Sequence, residues 1–129
     1  MKRIIILVLV SIFLATNVFG VTYITDCEDL QNITNNLSGI YELANDIDCY
    51  ETVNWTNSHG TGFDGIFWFT GELDGKGHKI SGLFINSTDP TYDQGVFSYI
   101  RGATVKNIIF ENSTIIGLRY TGTLAGDSG

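Results

Sequence analysis

The chain has 129 residues, with seven basic side chains against fourteen acidic ones and a formal net charge of −7. That length suits one domain, and an acidic surface repels phosphate backbones and anionic lipid, which argues against nucleic acid as a partner. Fifteen glycines and a single proline fit an all-β chain with many tight turns, and the scarcity of ionisable residues narrows the catalytic options.

The chain opens on Met1-Lys2-Arg3, followed by an almost wholly apolar run to Ala15 and then Val18-Phe19-Gly20. A basic start, an apolar stretch and small residues at the cut describe a secretory leader over residues 1–20, removed after Gly20. A retained membrane anchor is the alternative, although the apolar run is short beside the roughly 20 residues a span needs. Cleavage removes Lys2 and Arg3, leaving five basic residues against fourteen acidic ones and a net charge of −9. No membrane insertion is expected of the mature chain. Its two cysteines, Cys27 and Cys49, meet oxidising conditions and are expected to form a disulfide. A metal site is the alternative for that pair, but the loop between them contains no histidine.

Val21 to Ile24 alternate like a short strand, and Thr25-Asp26-Cys27-Glu28 fits a capping box with Thr25 as cap and Glu28 reaching back. Leu30, Ile33 and Leu37 follow at helical spacing on the stripe that carries Cys27, until Asn35-Asn36 and Gly39 end the helix. Residues 21–39 are therefore read as a capping strand and an α-helical cap. The cap would shield the apolar end of the first layer of strands. Ile40-Tyr41-Glu42-Leu43 begins that layer, and residues 50–65, polar and glycine-rich, read as a long loop. In Phe67-Trp68-Phe69 the period of two sends both phenylalanines inward and Trp68 outward. Residues 71–85 bend at Asp74-Gly75-Lys76-Gly77, where glycine supplies positive φ. Residues 86–93 form a second excursion.

Ile80-Ser81-Gly82-Leu83-Phe84-Ile85 is matched by the run starting at Val105, a spacing of 25 residues, and Gly95-Val96-Phe97-Ser98 by Gly122-Thr123-Leu124-Ala125, a spacing of 27. A self-match in this range predicts a solenoid, in which each repeat buries its apolar face against the next. The expected fold is all-β: a right-handed parallel β-helix of about three coils over residues 40–129, with the Ile80 and Val105 runs side by side. No capping element follows the third coil, so the sequence is read as truncated at its carboxyl end, with its last coil stacking on further repeats of the same chain.

Leu43-Ala44-Asn45-Asp46-Ile47-Asp48 and the run from Phe69 to Leu83 resemble the entry coils of exported β-helix proteins with GLUG-type repeats. Gly95 to Ile100, followed by Ala103 to Ile108, resembles the next segment of that pattern. Gly122-Thr123-Leu124-Ala125-Gly126 resembles the GLUG motif itself, departing from it at Thr123 and Ala125. The resemblance implies an adhesin-like or cell-surface protein. It implies no chemistry in the repeats, and the zinc-protease pattern HExxH is absent from the sequence.

Candidate sites are few. Sequons at Asn32, Asn36, Asn54, Asn86 and Asn112 are acceptors wherever N-glycosylation machinery exists, with Asn54 and Asn86 favoured because both fall in expected loops. Asparagine also recurs in β turns for backbone reasons alone. The carboxylate pairs Asp46/Asp48 and Glu72/Asp74 share a strand face, which suits calcium or acid–base work, but solvated turn residues are the ordinary explanation. His59 and His78 lack partners at ligand spacing. Trp55 and Trp68, beside polar loops, are the places to seek a carbohydrate or protein ligand. The sequence thus points to a non-catalytic exported surface module, without cofactor, metal or catalytic residues. The alternatives are a pectate-lyase-like, polysaccharide-cleaving enzyme or the repeat region of a larger secreted enzyme such as a peptidase.

Overall fold

The computed structural model describes residues 20–127. The expected leader, residues 1–20, lies outside them except for Gly20. Among the described residues the regular elements are mostly short strands, and most of the pairings are parallel. Strands β1 (Val21–Ile24), β2 (Ile40–Leu43), β6 (Glu72–Asp74) and β10 (Thr104–Lys106) form one sheet in that spatial order. A second sheet runs β3 (Ile47–Asp48), β7 (Lys79–Ser81) and β11 (Ile109–Glu111). In a third, β8 (Phe84–Ser87) pairs in parallel with β12 (Thr114–Ile116) and antiparallel with β5 (Gly60–Gly62), which forms a hairpin with the outer strand β4 (Thr56–Asn57). Strand β9 (Phe97–Tyr99) pairs with β13 (Ala125–Asp127), and single parallel bridges join Ile66 to Phe97 and Phe69 to Ile100.

The registers make columns of side chains through successive layers. Tyr41 lies beside Leu73 and Leu73 beside Val105; Ile47 beside Ile80 and Ile80 beside Phe110. Alternate residues of each strand therefore meet in one interior, where Leu43, Ile47, Ile66, Phe69, Leu73, Ile80, Leu83, Ile85 and Phe97 are buried. Phe69 and Phe97 stack there at 4.6 Å between ring centroids. This register corrects the expected repeat. Val105 lies against Leu73 rather than Ile80, and Ile80 lies against Phe110. The Ile80 and Val105 runs look alike because both are apolar and β-prone, but Val105 belongs to the first sheet and Ile80 to the second.

Turn chemistry fixes the corners. In Asp74-Gly75-Lys76-Gly77 the left-handed residues are Lys76 (φ 52°) and Gly77 (φ 81°), and Asp74 Oδ1 accepts the Lys76 N–H at 2.9 Å. Gly82 is left-handed as well (φ 72°), and a Cβ there would strike the Tyr50 ring; only glycine meets both demands.

The helix is shorter than its stripe suggested. α1 (Cys27–Gln31) is capped by Asp26, whose side chain accepts the Asp29 N–H. Asp29 reaches back to the Thr25 N–H at 2.9 Å and the Thr25 hydroxyl at 2.8 Å. Two overlapping cap patterns are present in the sequence, and Asp26 with Asp29 prevails over Thr25 with Glu28. After α1, Asn32–Asn35 tightens into a 3₁₀ turn, as asparagine and β-branched residues disfavour continuing an α-helix. Cys27, Leu30 and Ile33 nevertheless expose none of their surface, and Cys27 is bonded to Cys49, 22 residues on.

Residues 50–65 are no free loop. A 3₁₀ turn over Tyr50–Asn54 leads into the β4–β5 hairpin, which enters the third sheet in the first layer, and Phe63 is buried behind it. Trp68 faces outward, but Phe67 is only half-buried. Trp68 has a left-handed backbone (φ 59°), which breaks the period-two alternation and turns Phe67 toward His59 and Tyr92. Among the described residues no helix is long and apolar enough to cross a membrane.

Candidate functional site

A cleft of about 530 Å³ lies between the 3₁₀ turn after α1 and the β4–β5 hairpin. Its aromatic wall is Trp55, whose ring stacks on buried Phe63 at 6.4 Å and 21°. The opposite wall is polar and includes Asn32, Thr34 and Asn35. Gln31 joins the two walls: its Nε2 donates to the Asp64 carbonyl at 2.8 Å and its Oε1 accepts the Asp64 N–H at 2.8 Å. That paired contact works like a rung of sheet made by a side chain. On the hairpin side, Gly62 N–H donates to the Trp55 carbonyl at 2.8 Å and Asn57 Nδ2 to the Gly62 carbonyl at 2.9 Å. The cleft is thus held by a fixed frame, with one Trp55 face on Phe63 and amide groups opposite.

Trp68 lies in a separate recess of about 210 Å³, with Phe67, Tyr92, Asp93 and Tyr99. It is 57% exposed and its ring sits 4.6 Å from that of Tyr99. Phe67 meets Tyr92 edge-on at 4.5 Å, and Tyr92 meets His59 at 5.1 Å. The two tryptophans singled out in the sequence therefore line different recesses.

The carboxylate pairs are occupied with turns and cross-layer contacts. Asp46 Oδ1 accepts the Lys79 N–H at 3.0 Å and lies 3.2 Å from His78 Nδ1. Those contacts hold its carboxyl below the usual range, the Lys79 N–H first among them. Asp48 accepts the Tyr50 N–H at 3.0 Å. Asp74 accepts from the Lys76 N–H and from Asn107 Nδ2, and both lower its pKa, the Lys76 N–H most. Glu72 faces Lys106 at 3.4 Å. His59 Nδ1 is 2.9 Å from Asp64 Oδ1. Among the described residues no group of three or more His, Cys, Asp or Glu side chains is placed to hold a metal ion.

The five sequons differ in their surroundings. Asn32, Asn36 and Asn54 are exposed, as are Thr34, Ser38 and Thr56, which complete their sequons. Asn86 is half-buried on β8, paired with Thr61 on one side and Ile116 on the other, so it occupies a strand and not the expected loop. Asn112 is exposed too, but it is left-handed (φ 53°), and its Nδ2 donates to the Tyr50 hydroxyl at 2.8 Å. Reading the sequence alone missed the Gln31–Asp64 clamp. A lone glutamine next to a helix end carries no signal that it will meet a residue 33 positions away.

No protein-family model matches the chain, and no solved structure matches it. The chain is similar to Halomucin from Haloquadratum walsbyi, with 35% identity over 112 residues. That match spans 87% of this chain and 1% of the length of Halomucin.

Proposed function

We propose that the chain is an exported, non-catalytic module of the cell surface, adhesin-like or scaffolding in role. In this reading its strands wind as a right-handed parallel β-helix of about three coils, related to the GLUG-repeat proteins. α1 lids the entry. The observation that carries the reading is the parallel, in-register stacking of Tyr41, Leu73 and Val105 and of Ile47, Ile80 and Phe110. Such columns extend by adding layers, which suits a rigid spacer that displays its turns outward. The similarity to Halomucin, whose name is that of a mucin, supports a surface setting. So does a disulfide in a chain with a leader-like start. The Trp68 recess is where a carbohydrate or protein from outside the chain would touch, and the Trp55 cleft offers a second aromatic wall suited to a sugar.

Two assays test this. Tagged protein in intact cells of the source should be stripped by external protease; a protected internal pool would overturn the surface assignment. Mature chain incubated with acidic polysaccharides and calcium should release no unsaturated product. Product release would favour the lyase alternative and sink the non-catalytic reading.

A further inference from the structure

We propose that the Trp55 cleft seats the chain's own N-linked glycan: Asn32 and Asn54 are the acceptors, and the first sugars they carry lie across the free face of Trp55. The proposal rests on the exported reading, since an unexported chain would not meet the transferase.

The argument starts from which amides are free to react. Transfer needs the side-chain Nδ2 of asparagine presented on exposed backbone, with the hydroxyl two residues on accessible beside it. Asn112 and Thr114 are exposed, but the Asn112 Nδ2 already donates one of its two hydrogens to the Tyr50 hydroxyl, from a left-handed backbone. Asn86 sits between two partner strands. Asn32 and Asn54 are exposed, and among the described residues neither side chain makes a hydrogen bond within the chain; their threonines, Thr34 and Thr56, are exposed too. Asn36 is exposed but does not line the cleft.

Position supplies the second step. Asn32 and Thr34 line the cleft itself, and Trp55 and Thr56 are the middle and last residues of the Asn54 sequon. Both acceptors therefore flank one aromatic wall. That wall is half-buried and backed by Phe63, and amide side chains line the same cleft. An indole face with hydrogen-bonding groups opposite is suited to a sugar ring, whose C–H face is apolar and whose hydroxyls need partners. A sugar attached at the rim meets Trp55 at the high effective concentration of a tethered group, so a weak contact suffices. A free oligosaccharide has no such advantage and would find the cleft already filled.

The modification balances as an ordinary glycosyl transfer. Asn32 Nδ2 bonds to the anomeric carbon of a lipid-phosphate-linked oligosaccharide as the carbon–oxygen bond to phosphate breaks. The lipid phosphate leaves with the bonding electrons, and a base of the transferase takes one amide proton.

The test uses the full chain secreted from a host whose secretory pathway N-glycosylates. Glycopeptide mass mapping should find sugars on Asn32 and Asn54, with Asn86 and Asn112 bare. Hydroxyl-radical footprinting then reads both tryptophans separately. Replacing Thr34→Ala and Thr56→Ala, which removes the sugars but keeps Trp55, should raise Trp55 oxidation about twofold, as expected for uncovering one face of a half-buried ring. Trp68, in its own recess, should not change. Enzymatic deglycosylation of the unaltered chain should give the same rise, guarding against a folding defect in the double variant. Bare Asn32 and Asn54 on a secreted chain would overturn the proposal and leave the surface-module reading standing. Unchanged Trp55 oxidation after sugar removal would also overturn it. So would protection of Trp55 restored by free oligosaccharide at micromolar concentration, because the cleft would then be a receptor for foreign sugar. Retention inside the cell would sink both readings together.

Discussion

The second and third layers of strands are nearly the same in sequence character yet differ in burial. In the second layer, Leu73, Ile80, Leu83, Ile85 and Phe97 are at most 1% exposed. In the third, the residues that continue the same interior, Val105, Ile108, Phe110 and Ile115, are only partly buried. The β10, β11, β12 and β13 strands of that layer each end their sheet. Neither hydropathy nor register separates the two layers. Among the described residues a second-layer side chain has neighbours above and below, whereas a third-layer one has them on one side. Burial in this architecture is a property of position in the stack, and stability should follow it.

Paired truncations test that lesson most strongly. Ile80→Ala removes a fully buried side chain and should cost about 3–4 kcal/mol, in the upper part of the range for large-to-small core changes. Ile115→Ala deletes the same atoms from the third layer, where the site already opens to water, and should cost about 1–2 kcal/mol. Urea unfolding of both variants gives the comparison, with the slope checked so that midpoints can be compared. Equal losses would mean that the third layer is as well packed as the second.

The two ends of the stack differ in a second way. At the first-layer end, Cys27 and Cys49 are wholly buried and joined, and Gln31 clamps the hairpin through Asp64. Among the described residues the third layer has no covalent tie. Closing a loop of 22 residues should contribute about 3 kcal/mol in the chain-entropy account. Cys27→Ala with Cys49→Ala should therefore lower stability by about that amount, somewhat less than Ile80→Ala. Hydrogen exchange should speed up in β1–β3 of that variant, while β10–β12 already exchange fastest in the parent. A loss spread evenly over all layers would show that the bond does not act on the first-layer end in particular.

How much of this was legible beforehand depends on the range of the contact concerned. Local signals read well: the β-rich character, the inward Phe69 and the outward Trp68 follow from composition and alternation. Register did not read correctly. An apolar, β-prone run can lie against any similar run, and only the column as a whole decides that Val105 meets Leu73 and not Ile80. The helix was overextended because Leu37 lies on the stripe by spacing, though Asn32–Asn35 had already tightened the chain. At the candidate site Trp55 was visible as an aromatic among polar residues. Its polar wall was not, since Asn32 reaches the cleft only through the long-range docking of α1. The sequons were all visible, but distinguishing Asn54 from Asn112 requires knowing that Tyr50 stands beside the latter.

The smallest expected effect concerns the contacts that tie one layer to the next. Asp46 of the first layer accepts the Lys79 N–H of the second, and Asp74 of the second accepts from Asn107 of the third. Both carboxyls lie below their ordinary value because the ionised form accepts hydrogen bonds, Asp46 chiefly from the Lys79 N–H and Asp74 first from the Lys76 N–H of its own turn and then from Asn107. A depressed carboxylate contributes stability that is fully present above its unfolded pKa, near 4, and lost as pH falls through the lower folded value. Acid should therefore loosen the layers below about pH 4. The excess negative charge acts in the opposite sense, because protonating other carboxylates relieves repulsion across the surface. Comparing Asp74→Asn with the parent cancels that common term. The amide keeps an acceptor oxygen but cannot titrate, so the variant should be slightly less stable at neutral pH and should approach the parent as pH drops toward 3. A difference that stays constant from neutral to acid pH would assign Asp74 a packing role and remove the charge of its carboxylate from the account of how the second layer holds the third.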